Sequence, residues 1–277
     1  MWPPGPRAKE AGTMLDLIDV RKTFNAKTVN EKVALDGLSL HLNDGDFVTV
    51  IGGNGAGKST MLNAIAGVWP IDQGSIMIDK TDVSRLPEHR RAPLLGRVFQ
   101  DPMTGTAATM QIEENLALAA RRGERRTLKP GITRAERNQY RDQLAALGLG
   151  LENRMTTKVG LLSGGQRQAL TLLMATLKKP KLLLLDEHTA ALDPRTAEKV
   201  LQLSEKIVTE NRLMTLMVTH NMRDAIRYGN RLIMMNDGKI ILDISGEQKK
   251  NLTVENLMTA FFKASGEEFA NDRALLS

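Results

Sequence analysis

The stretch of sequence that decides the fold of this 277-residue chain is Gly52-Gly53-Asn54-Gly55-Ala56-Gly57-Lys58-Ser59-Thr60. It matches the spacing G-x-x-x-x-G-K-[ST] at every specified position, beginning at Gly52 and ending at Ser59. The β-branched apolar run at 47–51 comes directly before it and is typical of a buried strand. Residues 61–67 follow it and indicate a helix that ends at a glycine. The sequence therefore predicts a strand, a glycine-rich loop and a helix in direct succession.

This succession is suited to binding phosphate groups. Glycines let backbone N–H groups converge on phosphate oxygens, and the start of the helix adds partial positive charge. Lys58 would then contact the β- and γ-phosphates of a nucleotide, and the Ser59 hydroxyl would be a ligand of Mg²⁺. The alternative is a glycine turn before an ordinary helix, and a chance match arises in such a chain with a frequency on the order of 1%. The nucleotide interpretation is therefore favoured.

A second motif is the leucine run at 182–185, which ends in Asp186 and Glu187. The run predicts a fully buried strand, and catalytic groups of parallel α/β sheets gather where such strands end. Asp186 is predicted to hold Mg²⁺, and Glu187 to orient or deprotonate the water that attacks the γ-phosphate. A core strand that ends in two surface acids is common, so this motif gains its weight from lying downstream of the glycine loop.

A third motif is Leu162-Ser163-Gly164-Gly165-Gln166. Its two glycines permit close approach of the backbone, and residues 168–177 predict a helix whose start is a second site for an anion. A Ser-Gly-Gly sequence alone is usually a flexible turn. Its position shortly before Asp186 is what makes it informative.

These motifs together resemble those of the ATP-binding-cassette (ABC) ATPases, over about residues 14–246. The resemblance implies an α/β fold of the P-loop NTPase (RecA-like) type, with a core sheet and an inserted helical subdomain. It also implies that two subunits hold each ATP, so that a second ABC ATPase subunit, as a homodimer or a heterodimer, completes the site. The residues implied on one subunit are Gly52, Asn54, Gly55, Ala56, Gly57, Lys58, Ser59 and Thr60, and those on the other are Ser163, Gly164, Gly165 and Gln166.

Four further residues are carried over from the family by position. Phe24 corresponds to the aromatic residue that stacks on adenine, although a simple core role for it stays open. Gln100 corresponds to a glutamine that contacts the metal and the attacking water. Asp193 belongs to a loop of the nucleotide site, and His220 corresponds to the histidine that contacts the γ-phosphate. A lone histidine after an apolar strand is more often structural, but the order of the motifs favours the functional role.

The chain departs from the family pattern directly after Glu187. Many relatives have proline there, whereas this sequence has His188. The change frees the backbone φ angle and restores an N–H donor. Either the imidazole titrates and tunes the pKa of Glu187, or it packs in the protein; packing is the favoured interpretation.

Composition excludes several classes of protein. The chain has no cysteine, which excludes disulfides and thiolate metal sites and fits a reducing cytosol. It has no run approaching the roughly 18–20 apolar residues of a membrane helix, and its N-terminus lacks the apolar core of a signal peptide. A role in transport therefore requires a separate membrane partner.

The net charge of +6 draws attention to a cluster of basic residues. Its members are Arg121, Arg122, Arg125, Arg126 and Lys129. A solvated polar face is the favoured interpretation, and contact with anionic lipid of the cytoplasmic leaflet is the alternative. No aromatic residue lies within the cluster, so a nucleic-acid partner is not expected.

The chain divides into two segments. Residues 1–13 are rich in proline and glycine and are predicted to be a disordered extension, whereas residues 14–277 form one ABC ATPase domain. Within it, the helical subdomain is predicted at about 101–165 and a helical tail at about 247–277. Core strands are predicted at 15–20, 181–185, 213–218 and 231–235, and a hairpin turn at Asp237-Gly238.

The resemblance implies an ATP-hydrolysing subunit that energises an ABC transporter. Importers are the expected branch, with amino-acid-type solutes, transmembrane permease subunits, an extracytoplasmic substrate-binding protein, and a position on the cytoplasmic face of the membrane. The alternative is an ABC ATPase not coupled to solute transport. The short helices between the first and third motifs and the single cassette disfavour repair and translation ATPases, while remodelling of an envelope complex stays open.

Overall fold

The structure is a computed structural model, and it describes residues 13–124 and 131–265. The strands are β1 (Thr13–Phe24), β2 (Lys32–Asn43), β3 (Phe47–Gly52), β4 (Gln73–Ile78), β5 (Thr81–Asp82), β6 (Leu95–Val98), β7 (Leu182–Asp186), β8 (Met214–Val218), β9 (Arg231–Asn236) and β10 (Lys239–Ser245). The helices are α1 (Lys58–Ala66), α2 (Glu88–Arg91), α3 (Ile112–Ala120), α4 (Arg134–Ala145), α5 (Gly164–Thr176), α6 (Pro194–Asn211), α7 (Met222–Arg227), α8 (Gly246–Lys250) and α9 (Val254–Ser265). Short 3₁₀ helices cover Leu151–Asn153 and Val159–Leu161.

The larger sheet has the order β10-β9-β3-β8-β7-β6, in which β10 is antiparallel and the other strands are parallel. Its registers align the ends of the strands: Val218 at the end of β8 pairs with both Val50 in β3 and Asp186 in β7, and Val98 in β6 pairs with Leu185. The loops that follow these strands therefore emerge along one edge of the sheet. This edge is where open α/β sheets bind their ligands.

The smaller sheet is antiparallel, with the order β2-β1-β4-β5. Alternate residues of β1, such as Leu15 and Leu17, are buried in one core with α1 and the inner face of the larger sheet. Arg231 in β9 also joins the sheets, because its Nη1 donates to the carbonyl of His41 in β2 at 2.6 Å. This packing brings the ends of β1 and β2 beside the loop between β3 and α1.

The region between β6 and α5 is helical and has an apolar core of its own. Helices α3, α4 and α5 contribute Ile112, Leu116, Tyr140, Leu144, Leu170 and Leu173 to it. Thr133 begins α4 with a capping box, in which its side chain accepts from the N–H of Glu136. The separate core supports an inserted helical subdomain, whose boundaries at about 101–165 remain a prediction.

The predicted α/β core sheet is confirmed, and the predicted strands at 181–185, 213–218 and 231–235 agree with β7, β8 and β9 to within one residue. Differences lie at element ends. The helices predicted from 61 and 168 begin earlier, at Lys58 and Gly164, because each continues into the glycine motif before it, where no apolar periodicity marks a helix. The first strand starts at Thr13, which pairs with Asn43.

Both ends of the chain reach beyond the described residues. The predicted disorder falls on residues 1–12, which lie outside them, and so do residues 266–277 of the predicted helical tail. The described part of that tail consists of α8 and α9, and α9 buries Leu257 and Phe261 against β9 and α7. None of the helices in 13–124 and 131–265 combines the length and apolarity needed to cross a bilayer.

Candidate functional site

A cleft opens at the sheet edge where β3, β7 and β8 end. Its lining residues are Phe24, Lys32, Ala34, Asn54, Gly55, Ala56, Gly57, Lys58, Ser59, Thr60 and Glu187. The sequence predicted all of these as site residues except Lys32 and Ala34, which come from β2. The cleft therefore lies between the smaller sheet and the glycine loop.

The glycine loop leaves the start of α1 open. Gly57 is the N-cap residue with a left-handed φ of 99°, and no side chain in the described part of the chain caps this helix. A Cβ atom at Gly57 would lie 2.5 Å from the carbonyl oxygen of Ala34, so only glycine fits here. The uncapped N–H groups of the first turn are therefore free to donate to phosphate oxygens.

Lys58 is buried within this loop. Its side chain lies beneath the backbone, where Nζ donates to the carbonyl oxygens of Gly52 at 2.7 Å and Gly53 at 3.0 Å. Burial lowers the pKa of Lys58, while the charges of Glu187 and Asp186 oppose that shift. A desolvated ammonium group next to a row of backbone donors is a strong site for a polyanion.

Asp186 and Glu187 stand side by side at the end of β7. Both are partly buried, with side-chain exposures of 15% for Asp186 and 22% for Glu187. Burial raises the pKa of Asp186, and the charge of Arg97 opposes the rise. The Arg97 Nη2 lies 3.5 Å from Asp186 Oδ2. Sequence reasoning missed Arg97, because nothing in its local sequence shows that β6 brings it beside Asp186.

Glu187 has a strained backbone. Its φ of 43° lies in the left-handed region, which costs a non-glycine residue about 1–3 kcal/mol. The N–H of Glu187 donates to the carbonyl of Val218 at 3.0 Å, which ties this turn to β8. The strain is maintained by the packed sheet and turns the carboxylate into the cleft.

His220 lies beside Glu187. Its Nδ1 is 3.6 Å from Glu187 Oε2, and its side chain is 53% exposed. The N–H of Thr219 donates to the carbonyl of Val50 at 3.1 Å, and Asn221 caps α7 by accepting from Arg223 at 2.9 Å. The structure therefore places the predicted base and the predicted histidine next to each other, with His220 held between β8 and α7.

Phe24 is not a core residue. It is half-buried at the end of β1, and its ring lines the cleft. The ring of Trp69 meets it edge to face, with centroids 4.9 Å apart and an interplanar angle of 81°. Trp69 follows α1 and was not predicted, since no sequence pattern links it to β1. This contact holds the aromatic ring at the mouth of the cleft.

Besides Gly52, Asp186 and His220, two further predicted residues lie outside the cleft lining, Gln100 and Asp193. Gln100 is exposed directly after β6. Asp193 is exposed as the N-cap of α6, where its Oδ1 accepts from the N–H of Thr196 at 3.1 Å. Hydrogen bonds from Thr196 lower the pKa of Asp193. The nucleotide roles of Gln100 and Asp193 stay predictions.

The Ser163 motif also lies outside the cleft lining. Ser163 is the N-cap of α5, and it forms a capping box with Gln166 in which both hydrogen bonds measure 3.3 Å. A Cβ atom at Gly165 would lie 2.2 Å from Thr196 Cγ2, so this glycine permits close packing of α5 on α6. Ser163 and Gly164 are exposed. The motif thus presents a helix start at the surface, away from its own glycine loop.

His188 faces the core and not the cleft. It is 2% exposed, and its Nε2 lies 3.0 Å from Oγ of Ser204 in α6. The Ser204 hydroxyl donates to the carbonyl of Val200 at 2.8 Å, so its oxygen accepts from the Nε2–H of His188. Burial lowers the pKa of His188 to about 4. The packing interpretation is confirmed, and the alternative of a titrating partner for Glu187 is wrong.

The predicted basic cluster is only partly described. Arg121 pairs with Glu136 at 2.9 Å, and Arg122 is half-buried with a hydrogen bond to the Ala175 carbonyl at 3.3 Å. Burial lowers the pKa of Arg122. A solvated face is therefore wrong for Arg122, which packs beneath α5. The other members, Arg125, Arg126 and Lys129, lie outside the described residues.

The chain is similar to known families and proteins. Residues 35–190 match the family model described as ABC transporter. The tyrosine transport ATP-binding protein of Clostridioides difficile is 44% identical over 248 residues, which cover 90% of this chain and 98% of that protein.

Two further relatives are longer than the part that matches. The methionine import ATP-binding protein MetN of Rhizobium etli is 35% identical, and the spermidine/putrescine import ATP-binding protein PotA of Haemophilus ducreyi is 33% identical. The matches cover 86% and 88% of this chain, but only 62% of each of those proteins.

Solved structures show the same architecture. A dimeric post-hydrolysis state of the ATP-binding cassette MJ0796 bound to ADP and Pi is 30% identical, with a TM-score of 0.72, and the match covers 84% of this chain and 98% of that one. The ADP conformation of the cassette MJ1267 is 26% identical with a TM-score of 0.73, covering 91% and 99%.

Proposed function

We propose, from the premise that this chain belongs to the ABC transporter family as an ATP-binding and ATP-hydrolysing subunit, that two cassettes share each ATP. The observation that carries the proposal is the position of the Ser163 motif. It starts α5 at an exposed surface, whereas the cleft of the same subunit contains the glycine loop and Glu187. A second subunit can therefore supply the missing helix start across the open side of the cleft.

Within one subunit, the glycine loop binds the triphosphate. The N–H groups at the start of α1 donate to its oxygens, and the ammonium of Lys58 offsets its negative charge. The ring of Phe24, braced by Trp69, offers a π-surface to the adenine. From the partner subunit, Ser163 and the N–H groups that follow it meet the γ-phosphate.

The proposed donor set comes from the start of α1, the end of β7 and the segment after β6, and its oxygen atoms are of the kind that Mg²⁺ prefers. Ser59 offers a hydroxyl and Asp186 a carboxylate, with Gln100 as the third proposed ligand. No cluster of three or more histidine, cysteine or acidic residues that could hold a metal occurs within 13–124 and 131–265. Mg²⁺ needs none, because it is usually held by one or two carboxylates together with substrate phosphates. Bound there, it would supply positive charge to the β- and γ-phosphate oxygens.

Hydrolysis requires a base close to the γ-phosphate. We place Glu187 in that role: its carboxylate accepts a proton from water as the water oxygen bonds to the γ-phosphorus, and the bond from that phosphorus to the ADP oxygen breaks. His220, with Nδ1 at 3.6 Å from Glu187 Oε2, orients the base and contacts the γ-phosphate. The products, ADP and phosphate, contact the partner's Ser163 less strongly than ATP does, so the dimer can then open.

The partners follow from the relatives. The chain is similar to a tyrosine transport ATP-binding protein and to import ATP-binding proteins for methionine and for spermidine/putrescine, which supports a membrane permease, an extracytoplasmic substrate-binding protein and a peripheral position on the cytoplasmic face. The tyrosine transport relative matches over 98% of its own length. It supports amino-acid import, with aromatic amino acids as the substrate class.

The shared site is tested by placing a bulky cation at the Ser163 position. Ser163→Arg should still bind ATP in its own cleft, but dimer closure and hydrolysis should fail. Mixing it with Lys58→Ala subunits creates dimers in which one site carries both lesions and the other is intact, so part of the ATPase activity should return. Thermal unfolding of each variant separates a folding defect from a blocked site. Wild-type hydrolysis by Ser163→Arg alone would exclude the shared site.

The substrate class is tested by uptake in cells. Cells that produce only the Glu187→Gln variant should lose uptake of labelled tyrosine and keep that of labelled putrescine. Unchanged tyrosine uptake with loss of putrescine uptake would assign the subunit to a polyamine importer instead.

A further inference from the structure

Arg97 lies at the meeting point of three elements of the site. It belongs to β6, and its side chain is only 13% exposed. Its Nη2 donates to Oδ1 of Asn63 in α1 at 2.8 Å and lies 3.5 Å from Oδ2 of Asp186 in β7. One guanidinium group therefore connects the helix after the glycine loop with the predicted metal carboxylate.

The same side chain also contacts the segment that leads to Gln100. The guanidinium carbon lies 4.5 Å from the centroid of the Phe99 ring, within the range of a cation–π contact. The carbonyl of Phe99 in turn accepts from Nε2 of Gln168 in α5 at 3.2 Å. The position of Arg97 is thus determined by packing on several sides.

Stability alone is a weak explanation for this arrangement. Burying a charge is costly, and apolar side chains of similar volume often stabilise a protein as well as a buried ion pair does. Burial lowers the pKa of Arg97, and the charge of Asp186 opposes the shift. The geometry offers another reason, since the guanidinium contacts the Asp186 carboxylate through one of its two oxygens, Oδ2.

We propose that Arg97 is a positioning residue that fixes the orientation of the Asp186 carboxylate relative to α1 and so sets the affinity for the divalent cation bound with ATP. The inference rests on the proposed role of Asp186. A carboxylate rotates easily about its terminal bond, and an anchored partner on one oxygen holds the other in place. Loss of such outer partners of metal ligands typically costs about 10–100-fold in metal affinity.

The test measures binding of a fluorescent ATP analogue as Mg²⁺ is titrated, with a parallel measurement in EDTA. In Arg97→Met, the Mg²⁺ concentration that gives half of the Mg²⁺-dependent increase in analogue binding should rise by about 10–100-fold. The affinity for the analogue measured in EDTA should be unchanged. Arg97→Lys keeps the charge but not the planar fork, so its shift should be intermediate. Asn63→Ala removes only the anchor in α1 and should give a smaller shift in the same direction.

Arg231→Met is the matched control. Arg231 is also a partly buried arginine, with 18% side-chain exposure and a forked pair to Asp243 at 2.7 and 2.6 Å, but its partners are Asp243 and the carbonyl of His41 and not Asp186. Its loss should lower thermal stability and leave the Mg²⁺ dependence unchanged. If Arg97→Met does not fold, Arg97→Lys and Asn63→Ala carry the test.

Asp186→Asn separates the two proposals. If it raises the Mg²⁺ requirement while Arg97→Met, Arg97→Lys and Asn63→Ala leave it unchanged, the positioning role is overturned and the function of the site stands. If Asp186→Asn has no effect either, the metal role of Asp186 fails and the inference fails with it. Tighter Mg²⁺ dependence in Arg97→Met would also overturn the inference, because Arg97 would then compete with the cation.

Discussion

Helices α1 and α5 both begin at glycine-rich motifs, yet their N-termini are capped differently. Gly57 precedes α1 without a side-chain cap, and Lys58 is buried beside it. Ser163 precedes α5 and closes a capping box with Gln166. The first helix start has free donors in a cleft, whereas at the second, at the surface, the capping box satisfies the N–H groups of Ser163 and Gln166.

If two subunits share each ATP as proposed, this difference lets one chain present both halves of a site. The capping bonds of Ser163 and Gln166 are 3.3 Å long, beyond the usual 2.7–3.2 Å range, so a phosphate can replace them at small cost. Arg167 stiffens the segment before Ser163, because its Nη2 donates to the carbonyls of Gly160 at 3.0 Å and Leu162 at 3.1 Å. The start of α5 and the segment before it are therefore held in place by side chains of their own subunit.

The largest expected effect comes from removing the proposed catalytic base from the cleft while the start of α5 is left unchanged. Glu187→Gln keeps the shape of the side chain but removes the base, so ATP hydrolysis should fall by about 10²–10⁴-fold, equivalent to about 3–5 kcal/mol of transition-state stabilisation. ATP should still bind, and closed dimers should accumulate, because the Ser163 end is untouched. Phosphate release and size-exclusion chromatography with ATP measure the two results.

Glu198→Gln is the control for this change. Glu198 is a partly exposed acid in α6 that pairs with Arg227 at 2.7 Å, and ion pairs near the surface contribute little. Its hydrolysis rate should remain close to that of the wild type. Near-normal phosphate release by Glu187→Gln would show that another group is the base.

The parts of this comparison that sequence could predict are the local ones. The loop from Gly52 to Thr60 needs a fixed spacing of glycines, and Asp186 follows a leucine run, so short-range patterns mark both. Ser163 and Gln166 likewise carry a capping signature three residues apart, although the helix was predicted to start later. Each of these motifs makes its structure from neighbouring residues.

The parts that could not be predicted depend on contacts between distant elements. Lys32 lines the cleft because β2 passes over Gly55, where a Cβ atom would lie 3.1 Å from the lysine Nζ. Trp69 and Arg97 reach Phe24 and Asp186 only through the packing of the sheets. No local pattern in the sequence marks such residues, because the fold alone brings their partners together.

A second prediction concerns His188, the residue after Glu187, which is expected to affect stability and not hydrolysis. His188 has a folded pKa of about 4, against 6.5 for an unperturbed histidine, so the unfolded chain takes up a proton at a pH where the folded protein does not. The contribution of neutral His188 to the free energy of unfolding is complete above pH 6.5 and is lost as the pH falls towards 4. The loss should approach about 3 kcal/mol, from about 1.4 kcal/mol per pKa unit.

Urea denaturation of the wild type and of His188→Gln between pH 7 and pH 4 measures this loss. Carboxylates titrate in both proteins, so their contributions cancel in the difference. The difference in unfolding free energy should shrink as the pH falls. A difference that stays constant with pH would mean that His188 becomes protonated in the folded protein as readily as in the unfolded chain.

The smallest expected effect is at the start of α5, where the change alters the packing of α5 on α6 and removes no catalytic group. Gly165→Ala would place a Cβ atom 2.2 Å from Thr196 Cγ2, and overpacking of this kind costs about 1–3 kcal/mol. Thr196→Ser removes that methyl group while keeping the backbone N–H that Asp193 accepts from, so the double variant should recover most of the stability. Thermal unfolding measures the recovery, and nucleotide binding to the monomer should stay unchanged throughout.

If the double variant is stable but its ATPase activity remains low, the position of the α5 start matters to the shared site. If Gly165→Ala is as stable as the wild type, α5 and α6 are not packed closely enough to require glycine.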